Sequence, residues 1–380
     1  NQHLQRALGA VAAGTNTDEA AFRRVRLELG GTIYERTIFK IELDFAGGIV
    51  AFRDVFVGLK YGTKESSCAG TLRFGSVVEP GMLNRATGDL YITFLERPML
   101  VVFHPDYSAG IATDGGYRVD GVERFTWNLG VFRDVGTSGN DVGAGRNGKY
   151  NWSLRLTGLP LYDDGKTSGT RKLLHFGGML SLRNPNTFTA GVQTVAFATR
   201  PDTNFGPTLV NTGNVPAESE LVYGLELAGA VDRLWAEAEY VSVATRKPSG
   251  LAGPNASFSG YYVSAGLFFT GESRGYKTAT GAWDRIKPLH NAFTTDAAGN
   301  VGAGAWEFAV RYDVLDLEDT PAGVFGGQLT AVTGALNWYP NPNTRVMFNY
   351  TYADLQQKLA SPPNNSGAEQ IATFRFQVDL

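Results

Sequence analysis

Apolar and polar side chains alternate in short segments along almost the whole chain. From residue 39 to residue 45 the odd positions are Phe, Ile, Leu and Phe, whereas Lys40, Glu42 and Asp44 occupy the even positions. A period of two is typical of β-strands, whose successive side chains point to opposite faces of a sheet. The pattern recurs in residues 124–132, 151–157, 306–313 and 345–352. Burying every charged face in a dry core would cost several kcal/mol per unpaired ion, so the repetition favours a barrel with a wet interior and lipid outside.

Clusters of Gly, Asn, Asp and Pro divide the chain into sixteen predicted strands. We predict an all-β fold, a 16-stranded antiparallel transmembrane β-barrel that forms a single domain over residues 1–380. No run of 18 apolar residues occurs, which excludes a transmembrane helix. The chain begins at Asn1 inside a predicted strand and without a signal peptide, so we expect that Asn1 is not the start of the precursor. The strands are expected near residues 2–12, 21–33, 36–45, 51–61, 70–78, 106–114, 123–133, 149–161, 172–183, 221–230, 233–246, 257–270, 304–316, 327–339, 344–355 and 369–380.

Three connections between these strands are too long for simple turns, at about residues 79–105, 184–220 and 271–303. With both chain ends on the periplasmic side, the first two are extracellular in origin and the third is periplasmic. The first begins with Glu79 and Pro80, which end a strand, and it carries more large apolar side chains than a solvated loop usually does. We therefore expect it to fold into the lumen and narrow the pore. Its charged residues near the constriction would be Glu79, Arg85, Asp89, Glu96 and Arg97.

Composition adds two observations to this picture. The formal net charge of −3 gives no reason to expect a nucleic-acid partner. The basic residues are 24 Arg and only 10 Lys, and Arg is favoured where a planar cation must bind oxyanions, although a GC-rich genome explains the bias equally well.

Other chemistry has little support in the sequence. The four His residues lack the spacing of metal ligands, and no GxSxG or similar motif indicates a catalytic triad, so we expect no enzyme activity. The single Cys68 excludes an intramolecular disulfide and a cysteine metal cluster. Asp, Gly and Asn in the predicted loops at 114–120 and 136–145 could hold Ca²⁺, but solvated loops have the same composition. We expect no cofactor and no metal.

Five segments in chain order carry a family resemblance: EAAFRRVRLELGGTIYERTIFKIELDF at 19–45, VVEPGMLNRATGDLYITFLERPM at 77–99, LFFTGESRGYK at 267–277 with the following AWDRIKP, GAWEFAVRYDVLDLED at 304–319, and GALNWYPNPNTRVMFNYTYA at 334–353. Together they resemble the phosphate-selective porin O and P family. The resemblance implies a sixteen-stranded homotrimeric porin in the outer membrane of a diderm bacterium, in contact with lipid and lipopolysaccharide. It also implies that the third loop, the fifth loop and one long periplasmic turn fold inward.

The resemblance further implies a constriction where a few arginines and an acidic residue attract anions. The matching positions are Arg23 and Arg24, at the opening of the second predicted strand, and Arg97, at the end of the inserted loop. Where family members carry acidic residues in strand four, this chain reads Arg53-Asp54, so the acidic member of the site is displaced or missing. Arg53 is itself a further candidate for an anion-binding residue at the constriction.

Structural roles remain open for the same residues. Arg23 and Arg24 could decorate the rim of the barrel, and Arg97 could form an ion pair with Glu79 or Glu96 that pins the loop. Paired N–H donors of Arg suit phosphate, and several arginines sharing one ion would let it leave again.

The resulting functional hypothesis is a channel for passive diffusion of small hydrophilic solutes, namely small anions such as phosphate. The alternative hypothesis is a structural or interaction barrel that anchors the cell envelope or a surface layer, in which the pore is incidental.

Overall fold

An antiparallel sheet of fifteen strands dominates the part of the chain that the computed structural model describes, which is residues 19–63, 68–104, 106–133, 149–165, 168, 170–295, 299, 301–360 and 364–379. The strands in chain order are β1 (Arg26–Ile33), β2 (Thr37–Asp44), β3 (Ala51–Tyr61), β4 (Cys68–Val78), β5 (Tyr107–Val119), β6 (Val122–Arg133), β7 (Asn151–Asp163), β8 (Lys172–Arg183), β9 (Thr187–Thr189), β10 (Val192–Val195), β11 (Ala198–Thr199), β12 (Val210–Asn211), β13 (Val215–Pro216), β14 (Ser219–Val231), β15 (Leu234–Arg246), β16 (Ser257–Phe268), β17 (Gly275–Lys277), β18 (Ala282–Asp284), β19 (Ala305–Asp319), β20 (Val324–Asn341), β21 (Thr344–Gln357) and β22 (Asn365–Val378).

The main sheet contains β1 to β8, β14 to β16 and β19 to β22, each paired with the next in that order. The remaining short strands lie in the long connections, together with a four-residue helix α1 (Leu83–Ala86) and short 3-10 helices at Met99–Phe103 and Thr278–Thr280. Another 3-10 helix, Ala46–Gly48, lies in the turn between β2 and β3. Within the described residues, no helix has the length and apolar character needed to cross a membrane.

The two faces of the main sheet differ sharply in chemistry. In β14, Leu225 on the outer face is 67% exposed, while its neighbour Glu226 on the inner face is 3% exposed. The alternation predicted for residues 39–45 is present, because Ile41 and Phe45 are exposed while Glu42 and Asp44 are buried. Exposed apolar residues recur on successive strands, which is expected of a surface in contact with lipid, whereas a polar inner face is expected of a water-filled interior. The prediction of an all-β barrel fold is confirmed.

Strand bounds differ from the predicted ones at several ends. The strand expected from residue 21 begins only at Arg26, because the residues before it turn toward carboxylates inside the sheet instead of continuing the ladder. The expected loop at 114–120 belongs mostly to β5, which ends at Val119, so that loop assignment was wrong. The expected strand at 2–12 lies outside the described residues, and a total of sixteen strands stays a prediction.

Residues 79–104, which we call the first inserted segment, pack against the inner face of the main sheet. Met82, Met99 and Leu100 belong to an apolar cluster with residues of β14 to β16 and β19 to β21. Two wall glycines make room for the segment: a Cβ at Gly224 would lie 2.6 Å from the Met82 sulfur, and one at Gly260 would lie 3.0 Å from the Leu100 Cβ. The sheet curves around the segment so far that Arg23, just before β1, and Arg375, in β22, both bind Glu96.

The other two long connections also enter the interior. Residues 184–218, the second inserted segment, bury Phe197 and Asp202. Residues 269–304, the third inserted segment, bury Arg274 and Trp283, and the Arg274 guanidinium lies 3.7 Å and 4.3 Å from the ring centroids of Trp235 and Trp283.

Candidate functional site

A cavity of about 380 Å³ lies between the first and second inserted segments and the residues that lead into β1. We call it the constriction cavity. Among the described residues, its lining includes seven arginines and four carboxylates, an excess of three positive charges. The arginines are Arg23, Arg24, Arg26, Arg53, Arg85, Arg97 and Arg200, and the carboxylates are Asp89, Glu96, Asp106 and Asp202.

Asp89 is a carboxylate that binds three of the seven cavity arginines. It lies 3.2 Å from Arg24 Nε, 2.8 Å from Arg26 Nη2 and 2.7 Å from Arg97 Nη2. Burial alone would raise the pKa of Asp89, but the guanidinium groups of Arg97, Arg24 and Arg26 hold that pKa well below its usual value. The carboxylate therefore stays ionised and holds these arginines at one wall of the cavity.

Glu96 joins the two ends of the main sheet at the same wall. Its two oxygens accept from Arg23 Nε at 2.9 Å and Arg23 Nη2 at 3.0 Å, a bidentate pair, and Arg375 Nη2 lies 2.6 Å from Oε1. Burial acts to raise the pKa of Glu96, but the hydrogen bond from Arg23 and the charges of Arg23 and Arg375 lower it.

Arg53 and Arg85 share the carboxylate of Asp106. Arg53 Nη1 lies 2.9 Å from Asp106 Oδ2, and Arg85 Nη2 donates to the other oxygen. The Tyr107 ring lies 5.3 Å from the Arg53 guanidinium carbon and 5.7 Å from that of Arg85, within cation–π range. Asp54, in contrast, pairs with Lys40 at 3.1 Å and does not line the cavity. Of the four carboxylates that line the cavity, Asp89 and Glu96 come from the first inserted segment, and none of the four comes from strand β3.

Arg97 binds several groups within the first inserted segment, to which it also belongs. It donates to the backbone carbonyls of Asn84 and Thr87, the latter at 2.8 Å, and it pairs with Asp89. Its carboxylate partner is therefore neither Glu79 nor Glu96, and that expectation was wrong. Arg97 also lines the constriction cavity.

Glu79 lies at the base of the segment and away from the cavity. Its buried carboxylate accepts from Ser108 at 2.6 Å, Ser153 at 3.0 Å and Arg183 at 2.9 Å. The next residue, Pro80, is buried as well. This pair fixes the point where the chain leaves β4, which agrees with a loop-shaping role. The expectation that Glu79 lies near the constriction was wrong, because its carboxylate is held at the base of the segment.

Three wall carboxylates bind backbone amides of the first inserted segment. Leu83 N donates to Glu226 at 2.5 Å and Asn84 N to Glu239 at 2.5 Å, while Met99 N donates to Asp313 at 2.7 Å. These are N-terminal amides of α1 and of the 3-10 helix Met99–Phe103, which have no intrahelical acceptor. Sequence reading did not assign this role, because the three acids lie on three different strands.

Arg200 differs from the other arginines of the cavity. It lies on the second inserted segment, its side chain is exposed, and its Nε donates to the Gly206 carbonyl at 2.7 Å. Within the part of the chain that is described, it is the cavity arginine without a carboxylate at ion-pair distance. Its position in the sequence carried no motif that could have distinguished it.

His104 lines the cavity as a neutral group. Burial, followed by the charges of Arg85 and Arg183, lowers the pKa of His104 to about 3. The residue therefore adds no charge to the cavity near neutral pH.

No group of three or more His, Cys, Asp or Glu residues suited to a metal ion occurs among the residues with described positions. The candidate Ca²⁺ cluster at 136–145 lies outside them. Asp114 of the other cluster forms an ion pair with Arg73 across neighbouring strands.

Comparisons with known proteins identify relatives over nearly the full length. The model of a family described as phosphate-selective porin O and P matches residues 7–380. An uncharacterized protein of Caulobacter vibrioides is 29% identical over 95% of this chain and 68% of its own length. Porin O of Pseudomonas aeruginosa is 27% identical over 93% of this chain and 80% of its own.

Solved structures similar in shape include OmpT, an outer membrane protein of Vibrio cholerae. Its in-vitro folded form gives a TM-score of 0.48 at 13% identity, covering 93% of this chain and 88% of that chain. The trimer form gives 0.49 at 12% identity, covering 93% and 90%.

Proposed function

Since this chain belongs to the phosphate-selective porin O and P family and is an outer-membrane porin, we propose that it passes small hydrophilic anions, phosphate among them, by diffusion through the constriction cavity. The proposal includes a homotrimer in contact with membrane lipid and lipopolysaccharide, as the family resemblance implies.

The excess of arginines over carboxylates in the cavity lining is the observation that carries the proposal. Within a narrow passage bounded by protein, a net positive lining attracts anions and repels cations more strongly than the same charges in bulk water. Six of the seven arginines are held by carboxylates, which keeps them in place and weakens their attraction for any one ion. Moderate attraction shared by several sites permits both entry and release.

Among the described residues, Arg200 is the cavity arginine that has no carboxylate at ion-pair distance. It faces the same cavity as the paired arginines but from the second inserted segment. An anion that passes between the two segments would meet paired guanidinium groups on one side and Arg200 on the other. We therefore expect Arg200 to contribute more to anion preference than any single paired arginine.

The test is the reversal potential of single channels in a planar bilayer under a KCl gradient, repeated with added phosphate. We expect an anion-selective wild type whose chloride current falls when phosphate is added. Arg200→Gln should lower the anion-to-cation permeability ratio about two- to fivefold, the effect of ~0.4–1 kcal/mol of screened charge interaction.

Arg246→Gln is the matched control, because its side chain is 72% exposed and lies outside the cavity lining. It should leave selectivity unchanged. Cation selectivity of the wild type, or an Arg200→Gln channel identical to it, would contradict the anion proposal. A folded protein that forms no channels would favour the structural barrel.

A further inference from the structure

Arg311 contacts both inserted segments that enclose the constriction cavity, although it does not line the cavity itself. It lies on the inner face of β19 and is only 1% exposed. A guanidinium at this depth needs defined partners, because an unpaired buried charge is strongly unfavourable. Its partners come from both segments and from its own strand.

The first inserted segment is bound through a backbone oxygen and an aromatic ring. Arg311 Nη1 donates to the Glu96 carbonyl at 3.1 Å, and the guanidinium carbon lies 4.5 Å from the centroid of the Phe94 ring. The side chain of the same Glu96 points to the cavity, where it holds Arg23. Arg311 therefore binds the segment at the residue that organises one wall of the cavity.

The second inserted segment is bound through a buried carboxylate. Arg311 Nη2 lies 2.6 Å from Asp202 Oδ1, and the other Asp202 oxygen accepts from Thr333 Oγ1 at 2.7 Å. Asp202 has a backbone φ of +51°, a turn conformation that Asp adopts more readily than most residues. Asp202 lines the cavity in the stretch that also contains Arg200.

A second carboxylate, that of Asp313 on β19, also lies near the Arg311 guanidinium. Asp313 Oδ2 lies 3.7 Å from Arg311 Nε and accepts from Met99 N of the first inserted segment at 2.7 Å. One cation thus lies between two carboxylates, and each of these carboxylates fastens a different inserted segment to the wall.

We propose that Arg311 is a positioning residue that sets the width of the constriction cavity by holding the first and second inserted segments at a fixed separation. This inference rests on the proposed channel function and assigns a role in it to a residue that does not contact the solute. Without Arg311, the buried Asp202 would lose its counter-charge, and the stretch 198–208 would relieve that loss by moving toward water. The cavity would then widen.

The test is the unit conductance of Arg311→Met in planar bilayers, with folding checked by heat-modifiable migration and circular dichroism. We expect conductance to rise about twofold and anion selectivity to fall, because a wider passage weakens the influence of its lining charges. The conductance of Arg311→Lys should lie between those of the wild type and Arg311→Met, because lysine keeps a charge near Asp202 but not the planar contacts with Glu96 and Phe94. Asp202→Asn leaves Arg311 in place but removes its ion pair with the second inserted segment, and it should also raise conductance. This variant tests the same contact if Arg311→Met does not fold.

Arg274→Met is the matched control. It removes another buried arginine, whose Nη1 lies 3.4 Å from Glu237, but that side chain belongs to the third inserted segment and is absent from the cavity lining. Its conductance should equal that of the wild type.

A readout independent of conduction uses Thr199→Cys in a Cys68→Ser background, because Thr199 lines the cavity. We expect a water-soluble thiol reagent to modify this cysteine several times faster when Arg311 is replaced by Met. Wild-type conductance and an unchanged modification rate in both Arg311→Met and Asp202→Asn would overturn the inference. A wild type without channels would instead overturn the proposed function, while the modification rates would still decide the role of Arg311.

Discussion

At the scale of single residues, the geometry of arginine explains how so many like charges share one cavity. The planar guanidinium has five N–H donors, so it can bind a carboxylate on one edge and a carbonyl on another. Arg97 does both, with Asp89 and the Thr87 carbonyl. Asp89 and Glu96 each accept from more than one arginine, which offsets the repulsion between the cations.

These carboxylates also determine how the cavity responds to acid. The pKa values of Asp89 and Glu96 lie below their ordinary values, so their ion pairs contribute stability above the unfolded-state pKa and lose it as the pH falls through the folded-state pKa. His104, with a pKa of about 3, stays neutral until the solution is strongly acidic.

We therefore expect no change of selectivity from these three groups between about pH 7 and about pH 5. In stronger acid the carboxylates would take up protons, and anion selectivity would rise because the lining becomes more positive. Reversal potentials measured over this range check the expectation. A transition centred near pH 6 that His104→Gln abolishes would show instead that His104 is accessible to water and titrates normally.

At the scale of elements, the first inserted segment depends on the wall for its hydrogen bonds. Helix α1 has only four residues, so most of its amides and carbonyls lack partners within the helix. Glu226 and Glu239 lie opposite each other on β14 and β15 and bind successive amides at its N-terminal end.

Loss of one such acceptor should loosen the segment. Glu239→Leu leaves the buried Asn84 N–H unpaired, at a cost of about 1–3 kcal/mol, whereas Glu239→Gln keeps an oxygen that can accept from it. We expect the Leu variant to have a lower denaturant midpoint in detergent micelles and faster proteolysis within residues 79–104, and the Gln variant to resemble the wild type. Equal behaviour of the two variants would show that the amide contact does not hold the segment.

At the scale of the whole molecule, the sheet separates an apolar exterior from a charged interior. Val263, near the middle of β16, is 50% exposed on the outer face, while its neighbour Tyr262 is fully buried on the inner face. The three inserted segments cover much of the inner face. From outside to inside, the layers are therefore the sheet with its lipid-facing surface, the inserted segments and the cavity.

Charge on the outer face should therefore interfere with membrane insertion. Val263→Arg is expected to destabilise the protein folded in lipid vesicles, reducing its free energy of unfolding by about 2–4 kcal/mol, because the cation would face hydrocarbon. Leu251→Arg is the control, since Leu251 is 43% exposed but lies in the connection between β15 and β16. Equal effects of the two substitutions would contradict the assignment of the outer face to lipid.

Much of the fold was predictable because alternation is a local property. The alternation around Lys40, Glu42 and Asp44 placed strand β2 and its two faces correctly. The start of β1 was predicted too early, because Arg23 and Arg24 leave the ladder to bind Glu96 and Asp89, which lie in a distant part of the chain. The family resemblance drew attention to Arg23, Arg24 and Arg97, but it could not show which carboxylates hold them.

The sequence by itself determined most of the described strands of the main sheet, the outer face of those with clear alternation and the presence of three long connections, because these follow from local periodicity and turn residues. Only the tertiary structure decided the chemistry of the cavity, because its contacts join residues far apart along the chain. Arg23 and Glu96 are separated by 73 positions, and Arg311 and Glu96 by 215. Whether a guanidinium binds a carboxylate, as in Arg97, or, among the described residues, only a backbone carbonyl, as in Arg200, depends on such contacts.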